Sequence, residues 1–162
     1  MCSSDLTMPR EDMTVLIMAA GTGGHVFPAL SIAQKLREHN VRTEWMGTHQ
    51  GMENQLLEGT GIKIHAVSAK GLKGKGVVRL LFAPFMLVQA LIQSMRVLSS
   101  VNPDCVLGMG GFVSGPGGLA AKITGRKLVI HEQNAVPGFT NKLLSKIANL
   151  VFEAFPNTFP RR

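Results

Sequence analysis

Short apolar runs alternate with amphipathic segments along most of the chain. The runs at residues 14–18, 43–46, 62–67, 104–107, 127–130 and 150–152 are rich in Val, Ile, Leu and Met and read as strands. Between them, residues 28–39 carry Leu30, Ala33 and Leu36 as an apolar stripe at helical spacing, with Pro28 placed for a first helical turn. A short helix is predicted around residues 53–57, a long one over 77–98, and two more over 116–123 and 138–148. Strands alternating with helices build βαβ units, so the expectation is an α/β fold: a Rossmann-like parallel sheet with helices on both faces. In such a sheet the loops leaving the carboxyl ends of the strands share one edge, where ligands bind. Residues 21–25, 68–76, 108–115 and 131–137 all leave strands in that direction.

Two of these loops have the same build. Met18-Ala19-Ala20-Gly21-Thr22-Gly23-Gly24-His25-Val26-Phe27-Pro28 follows the first strand, and Gly108-Met109-Gly110-Gly111-Phe112-Val113-Ser114-Gly115-Pro116 follows the fourth. Glycines let backbone approach a ligand closely, and a helix start offers free N–H groups and a positive dipole end to a phosphate. Neither loop meets the dinucleotide fingerprint, because Val26 and Val113 stand where the third glycine belongs, and Glu44 lies too early in its strand to hold a ribose. Neither closes with Gly-Lys-Ser/Thr as a P-loop does. A nicotinamide cofactor is therefore disfavoured, and no cofactor is assigned.

His25 follows the glycines at the mouth of the crevice. It reads equally as a base accepting a proton from a substrate hydroxyl or as a capping or phosphate-contacting residue. His131-Glu132-Gln133-Asn134 is a dense polar cluster after the fifth strand, fitted either to touch a ligand or to lock a neighbouring loop. His39, His49 and His65 are scattered without metal-ligand spacing, and no Asp-x-Asp is present to hold a divalent cation, so no metal site is assigned.

Charge adds a partner class. The 162 residues carry a net charge of +7, and no Asp or Glu occurs from 59 to 103, where Lys63, Lys70, Lys73, Lys75, Arg79 and Arg96 lie. A basic protein favours phosphate, nucleic acid or an anionic membrane. Aromatic residues are only 6% with no tyrosine, so stacking platforms for nucleic acid are missing and that partner is set aside. The apolar run 80–88 falls short of the ~20 residues that span a bilayer. Beside the lysines it makes either a patch docking on an anionic surface, the reading preferred, or a buried helix with Pro84 near its start. Cys2 and Cys105 sit one on the N-terminal stretch and one in a strand, which argues against a structural disulfide and fits a reducing compartment. Residues 1–13 lack periodicity and are expected to be a disordered leader or a cloning remnant, with one domain over 14–162.

The two glycine loops together with His131-Glu132-Gln133-Asn134-Ala135-Val136-Pro137-Gly138 resemble the MurG family of bacterial glycosyltransferases. That family adds N-acetylglucosamine to undecaprenyl-pyrophosphoryl-N-acetylmuramoyl-pentapeptide in peptidoglycan precursor synthesis. The resemblance covers the N-terminal half of a two-domain GT-B enzyme, and implies that this half receives the membrane-borne acceptor. The C-terminal domain, which binds the donor UDP-N-acetylglucosamine, is absent from the sequence, so the fragment is expected to be inactive alone. By the same resemblance His25 is the general base on the acceptor hydroxyl. Thr22, Gly23, Gly24, Gly110, Gly111, Phe112, Ser114, His131 and Asn134 line the substrate cleft, with Phe112 where many members carry tyrosine. Lys70, Lys73, Lys75, Arg79, Leu80, Phe82 and Phe85 match the family's membrane-docking region, which puts the protein peripherally on the cytoplasmic face of the bacterial inner membrane. The competing expectation is a non-catalytic Rossmann-like module that binds a phosphate or nucleotide.

Overall fold

A computed structural model describes residues 13–68 and 77–159, and within the second span the side chains from residue 83 onward. Eleven elements follow one another: β1 (Thr14–Met18), α1 (Gly23–Glu38), β2 (Arg42–Gly47), α2 (Met52–Leu56), β3 (Lys63–Ala66), α3 (Val77–Val101), β4 (Cys105–Gly108), α4 (Gly111–Ile123), β5 (Lys127–Glu132), α5 (Phe139–Leu144) and β6 (Leu150–Glu153). The strands form one sheet of order β3-β2-β1-β4-β5-β6, and every pairing is parallel. The order reverses direction between β1 and β4, so a crevice opens at the carboxyl ends of those two strands.

Because successive side chains of a strand face opposite ways, β1 feeds both layers. Leu16 and Met18 join Met46, Val106, Leu128 and Ile130 against Leu98 of α3, Val113, Ala120 and Ala121 of α4, and Leu144 of α5. Val15 and Ile17 join Trp45 and Leu107 against Val26, Ala29 and Ala33 of α1. A strand covered on both faces reads as a continuous apolar run, as β1 does.

Both helices behind the glycine loops begin earlier than their prolines suggest. Helix α1 starts at Gly23 and α4 at Gly111, so Pro28 and Pro116 stand inside the helices instead of opening them. The amides of His25 and Val26 already donate to the Thr22 carbonyl at 3.0 and 3.2 Å. Each proline lacks the N–H that would reach back four residues, so the carbonyls of Gly24 and Phe112 lose their helical donor. Helix α5 is shorter than expected, ending at Leu144. Strand β5 runs on to Glu132, which makes His131 and Glu132 strand residues.

The loops after β1 and β4 are pressed together. Gly111 has a φ of +81°, and a Cβ there would lie 2.5 Å from the carbonyl oxygen of Ala20. Gly125, just past α4, has a φ of +70° but open space around it. Gly125→Ala should therefore cost about 1 kcal/mol, the backbone strain alone. Gly111→Ala should cost about 3 kcal/mol or more, since a backbone carbonyl cannot swing aside. Urea midpoints of the two variants check the ranking, and equal losses would contradict this packing.

Candidate functional site

The crevice between β1 and β4 is built from backbone. The Trp45 indole N–H donates to the Ala19 carbonyl at 2.8 Å, fixing the start of the first loop. The Met109 amide donates to the Met18 carbonyl at 3.0 Å, carrying the β1–β4 ladder one step into the loops. Thr22 caps α1 in an extended conformation without a side-chain bond, and Gly110 caps α4 with a φ of +99°. Neither helix has an acidic residue in its first turn, so neither positive helix end is neutralised by its own helix. Two such ends at one crevice present free N–H groups and positive dipole ends, the chemistry that suits an anion.

Thr22 and Gly24 are exposed, Gly23 and Gly111 half-buried, and Gly110 buried beneath the His25 ring. A Cβ on Gly110 would meet His25 Cε1 at 2.9 Å and Nδ1 at 3.0 Å, so the ring rests edge-on against that glycine. His25 Nδ1 also faces Gln133 Oε1 at 3.4 Å. Phe112 is 44% exposed on the first turn of α4. Ser114 corrects the expectation that it lines the cleft. Its side chain is fully buried, and its hydroxyl lies 2.7 Å from the Gly110 carbonyl and 3.0 Å from that of Met18, stapling α4 to β1.

The third loop is organised by a buried carboxylate. Glu132 Oε1 accepts from the Asn134 amide at 3.0 Å and from Asn134 Nδ2 at 2.9 Å, while Oε2 accepts from the Gly138 amide at 3.1 Å and from Asn141 Nδ2 at 2.9 Å. Burial works to raise the Glu132 pKa, and the hydrogen bonds from Asn141, Asn134 and Gly138 outweigh it, holding the carboxyl below its ordinary range. The half-buried His131 has its Nδ1 enclosed without a partner among the described residues. Burial pushes its pKa down, against the pull of the neighbouring Glu132 charge. Asn134 is exposed at the rim, but its amide nitrogen is committed to Glu132. The four polar side chains thus divide, Glu132 locking the loop and Gln133 reaching back to the first. Asn141, from α5, completes this lock although no spacing in the sequence singled it out.

A groove of about 920 Å³ between α5 and β6, lined by Lys142, Lys146, Leu150, Thr158 and Phe159, lies away from the glycine loops. Of the docking residues, Lys70, Lys73 and Lys75 lie outside the described residues, as do the side chains of Arg79, Leu80 and Phe82. Phe85 is 69% exposed on α3, with Leu87 and Val88 each 53% and Ile92 43% exposed. No helix among the described residues is long and apolar enough to cross a membrane.

The glycosyltransferase family 28 N-terminal domain matches residues 15–153. A UDP-N-acetylglucosamine–N-acetylmuramyl-(pentapeptide) pyrophosphoryl-undecaprenol N-acetylglucosamine transferase of Ectopseudomonas mendocina is 54% identical over 145 residues, covering 90% of this chain and 41% of the relative. The crystal structure of Acinetobacter baumannii MurG superposes with a TM-score of 0.83 at 50% identity, covering 93% of this chain and 43% of that one. A UDP-GlcNAc 2-epimerase of Neisseria meningitidis shares the fold alone, with a TM-score of 0.69 at 20% identity. The chain thus spans about 41% of the length of the first of these relatives.

The shifted groups give acid sensitivity a definite sign. The folded His131 takes up its proton at lower pH than an ordinary imidazole, so the unfolded chain binds more protons just below the ordinary value and stability falls as pH drops there. Glu132 and Glu44 have folded pKa values below 4.5, so their contribution is present above pH 4.5 and is lost as pH falls through the folded values. Urea unfolding from pH 7.5 to 3.5 should show stability declining in these two stages, and His131→Gln should remove the first. An unchanged first stage in that variant would contradict the assignment.

Proposed function

The chain belongs to the glycosyltransferase family 28 N-terminal domains, and from that membership we propose that it is the acceptor-binding domain of an inverting N-acetylglucosaminyltransferase acting on a lipid-linked muramoyl-pentapeptide pyrophosphate in peptidoglycan precursor synthesis. The single observation that carries this reading is the convergence of two acid-free helix starts on one crevice beside His25. A pyrophosphate is a dianion in need of donors, and backbone N–H groups with helix dipoles supply them without a metal ion. Thr22, Gly23, Gly24, Gly110, Gly111 and Phe112 form the walls of this site, with His131 and Asn134 on the third loop nearby. UDP-N-acetylglucosamine would reach the same crevice from a donor-binding domain.

In the reaction His25 acts as general base. It takes the proton of the acceptor hydroxyl as that oxygen bonds to the anomeric carbon, the bond from that carbon to the diphosphate breaks, and UDP leaves with the electron pair on the opposite face. The imidazole of His25 sits at the crevice, whereas that of His131 has one nitrogen enclosed and is made less basic by burial. This contrast supports His25 over His131 as the base.

The test is an amide NMR titration of the chain with a short-chain soluble acceptor analogue, with UDP-N-acetylglucosamine and with NAD, each separately. Shifts at residues 21–25 and 108–112 with the acceptor, and little response to the other two, are expected. Saturable shifts with NAD alone would replace the transferase reading by a dinucleotide-binding module.

The same reading places the domain peripherally on the cytoplasmic face of the inner membrane. The exposed apolar residues Phe85, Val88 and Ile92 on α3, together with the preceding lysines, support this. Replacing Lys70, Lys73 and Lys75 with Ser should weaken binding to anionic vesicles by about 1 kcal/mol per lysine and reduce its salt dependence. Unchanged vesicle binding would remove the lysines from the docking surface.

A further inference from the structure

His25 can serve as a base only through a nitrogen that carries a lone pair and faces substrate, and a neutral imidazole has one such nitrogen. Which one it is depends on what the other nitrogen touches. Among the described residues the one hydrogen-bond partner of the ring is Gln133, at Nδ1. Nε2 makes no hydrogen bond there and is not enclosed, which leaves it to the crevice.

The amide of Gln133 can take only one orientation. Its Nε2 donates to the Met109 carbonyl at 3.0 Å and to the His131 carbonyl at 3.2 Å, so both of its N–H groups are used on backbone of the β4 loop and of β5. Turning the amide over would set its oxygen against two carbonyl oxygens. With the nitrogen fixed inward, Oε1 faces His25 and has only lone pairs to offer. The imidazole must then donate from Nδ1, and the Nδ1–H tautomer follows. At 3.4 Å the contact is long, as hydrogen bonds of catalytic groups often are before substrate arrives. The Nδ1–Cε1 edge of the ring lies beside Gly110, where even a Cβ would not fit.

We propose that Gln133 is a positioning residue for the reaction, holding His25 in the Nδ1–H tautomer so that Nε2 is the base. This rests on the assignment of His25 as base and adds the group that makes it one. When Nε2 takes the proton of the acceptor hydroxyl, the resulting imidazolium keeps its Nδ1–H bond to the Gln133 oxygen, so no rearrangement of the ring accompanies the transfer. A neutral amide is also far too weak a base to draw the Nδ1 hydrogen away. The glutamine thus selects the tautomer without competing for the proton, and through its two carbonyl contacts it ties the β4 loop, the end of β5 and the start of α1 to one side chain.

The direct test is long-range nitrogen–proton correlation NMR of the His25 ring in the chain itself, at a pH where the ring is neutral. The native protein should show Nδ1 protonated and Nε2 bare. Gln133→Leu removes the acceptor, and the ring should invert to the Nε2–H form that an imidazole favours in water. A native ring already in the Nε2–H form would overturn the proposal. So would a Gln133→Leu ring still in the Nδ1–H form with a native amide spectrum. In a chain extended to the full length of its relatives, His25→Ala should lower kcat by about 10²–10⁴-fold. Gln133→Leu should lower kcat about tenfold or more with acceptor KM nearly unchanged. Loss of kcat in His25→Ala without any in Gln133→Leu would sink the positioning role and leave the base assignment standing. Full activity in His25→Ala would remove the base assignment itself, and the tautomer result would still stand or fall on its own.

Discussion

Everything at the crevice depends on two backbone loops approaching more closely than side chains permit. A Cβ on Gly111 would collide with the Ala20 carbonyl, and one on Gly110 with the imidazole of His25. Both glycines also have positive φ, so the space and the backbone conformation exclude a side chain together. The approach follows from the sheet: β1 and β4 are adjacent parallel strands whose connections leave in opposite directions, and their first loop residues are still linked by the Met109–Met18 hydrogen bond. A bulkier residue at either glycine would push α4 away from α1. That would separate the two helix starts whose combined field makes the crevice attractive to an anion.

Much of this arrangement is legible in the chain. Strands buried on both faces must be apolar at nearly every position, which is why β1 reads so plainly, and the other strands also fall within two residues of their sequence limits. The helix starts are less legible because proline ordinarily marks a first helical turn. Pro28 and Pro116 each lie five residues past the first helical residue, a place where proline removes an internal bond. The true signals are the residues that cap those helices, Thr22 in extended backbone and Gly110 with positive φ, and nothing local distinguishes them from other residues of a glycine-rich loop.

The site was legible in outline and not in its division of labour. A run of His, Glu, Gln and Asn after a strand promises polar function, but the sequence does not say which member turns inward. The decision is made by tertiary neighbours: Asn141 comes from a separate helix to meet Glu132, and Met109 offers its carbonyl to Gln133 across the β4–β5 pairing. Ser114 is the converse case. A hydroxyl in a glycine loop looks available to a ligand, yet one helical turn places it under the carbonyls of Gly110 and Met18, where a buried hydroxyl must find partners.

The polar groups of the crevice therefore fall into two shells with different demands. Under the proposed function the anion is met by backbone N–H groups and helix dipoles, which need no side chain and tolerate none at the closest point. Under the same proposal the proton is handled by a side chain, His25, whose chemistry depends on a neighbour that accepts without donating. A carboxylate in the place of Gln133 would add a negative charge beside an anion site and oppose the helix dipoles. A hydroxyl would be free to donate as well as accept, leaving the tautomer undetermined. An amide whose N–H groups are already bound to backbone avoids both, and that is the chemistry the fold places next to the imidazole. The lock around Glu132 serves the same end one step further out, since it fixes the loop from which Gln133 reaches and buries its own charge among donors instead of facing the crevice.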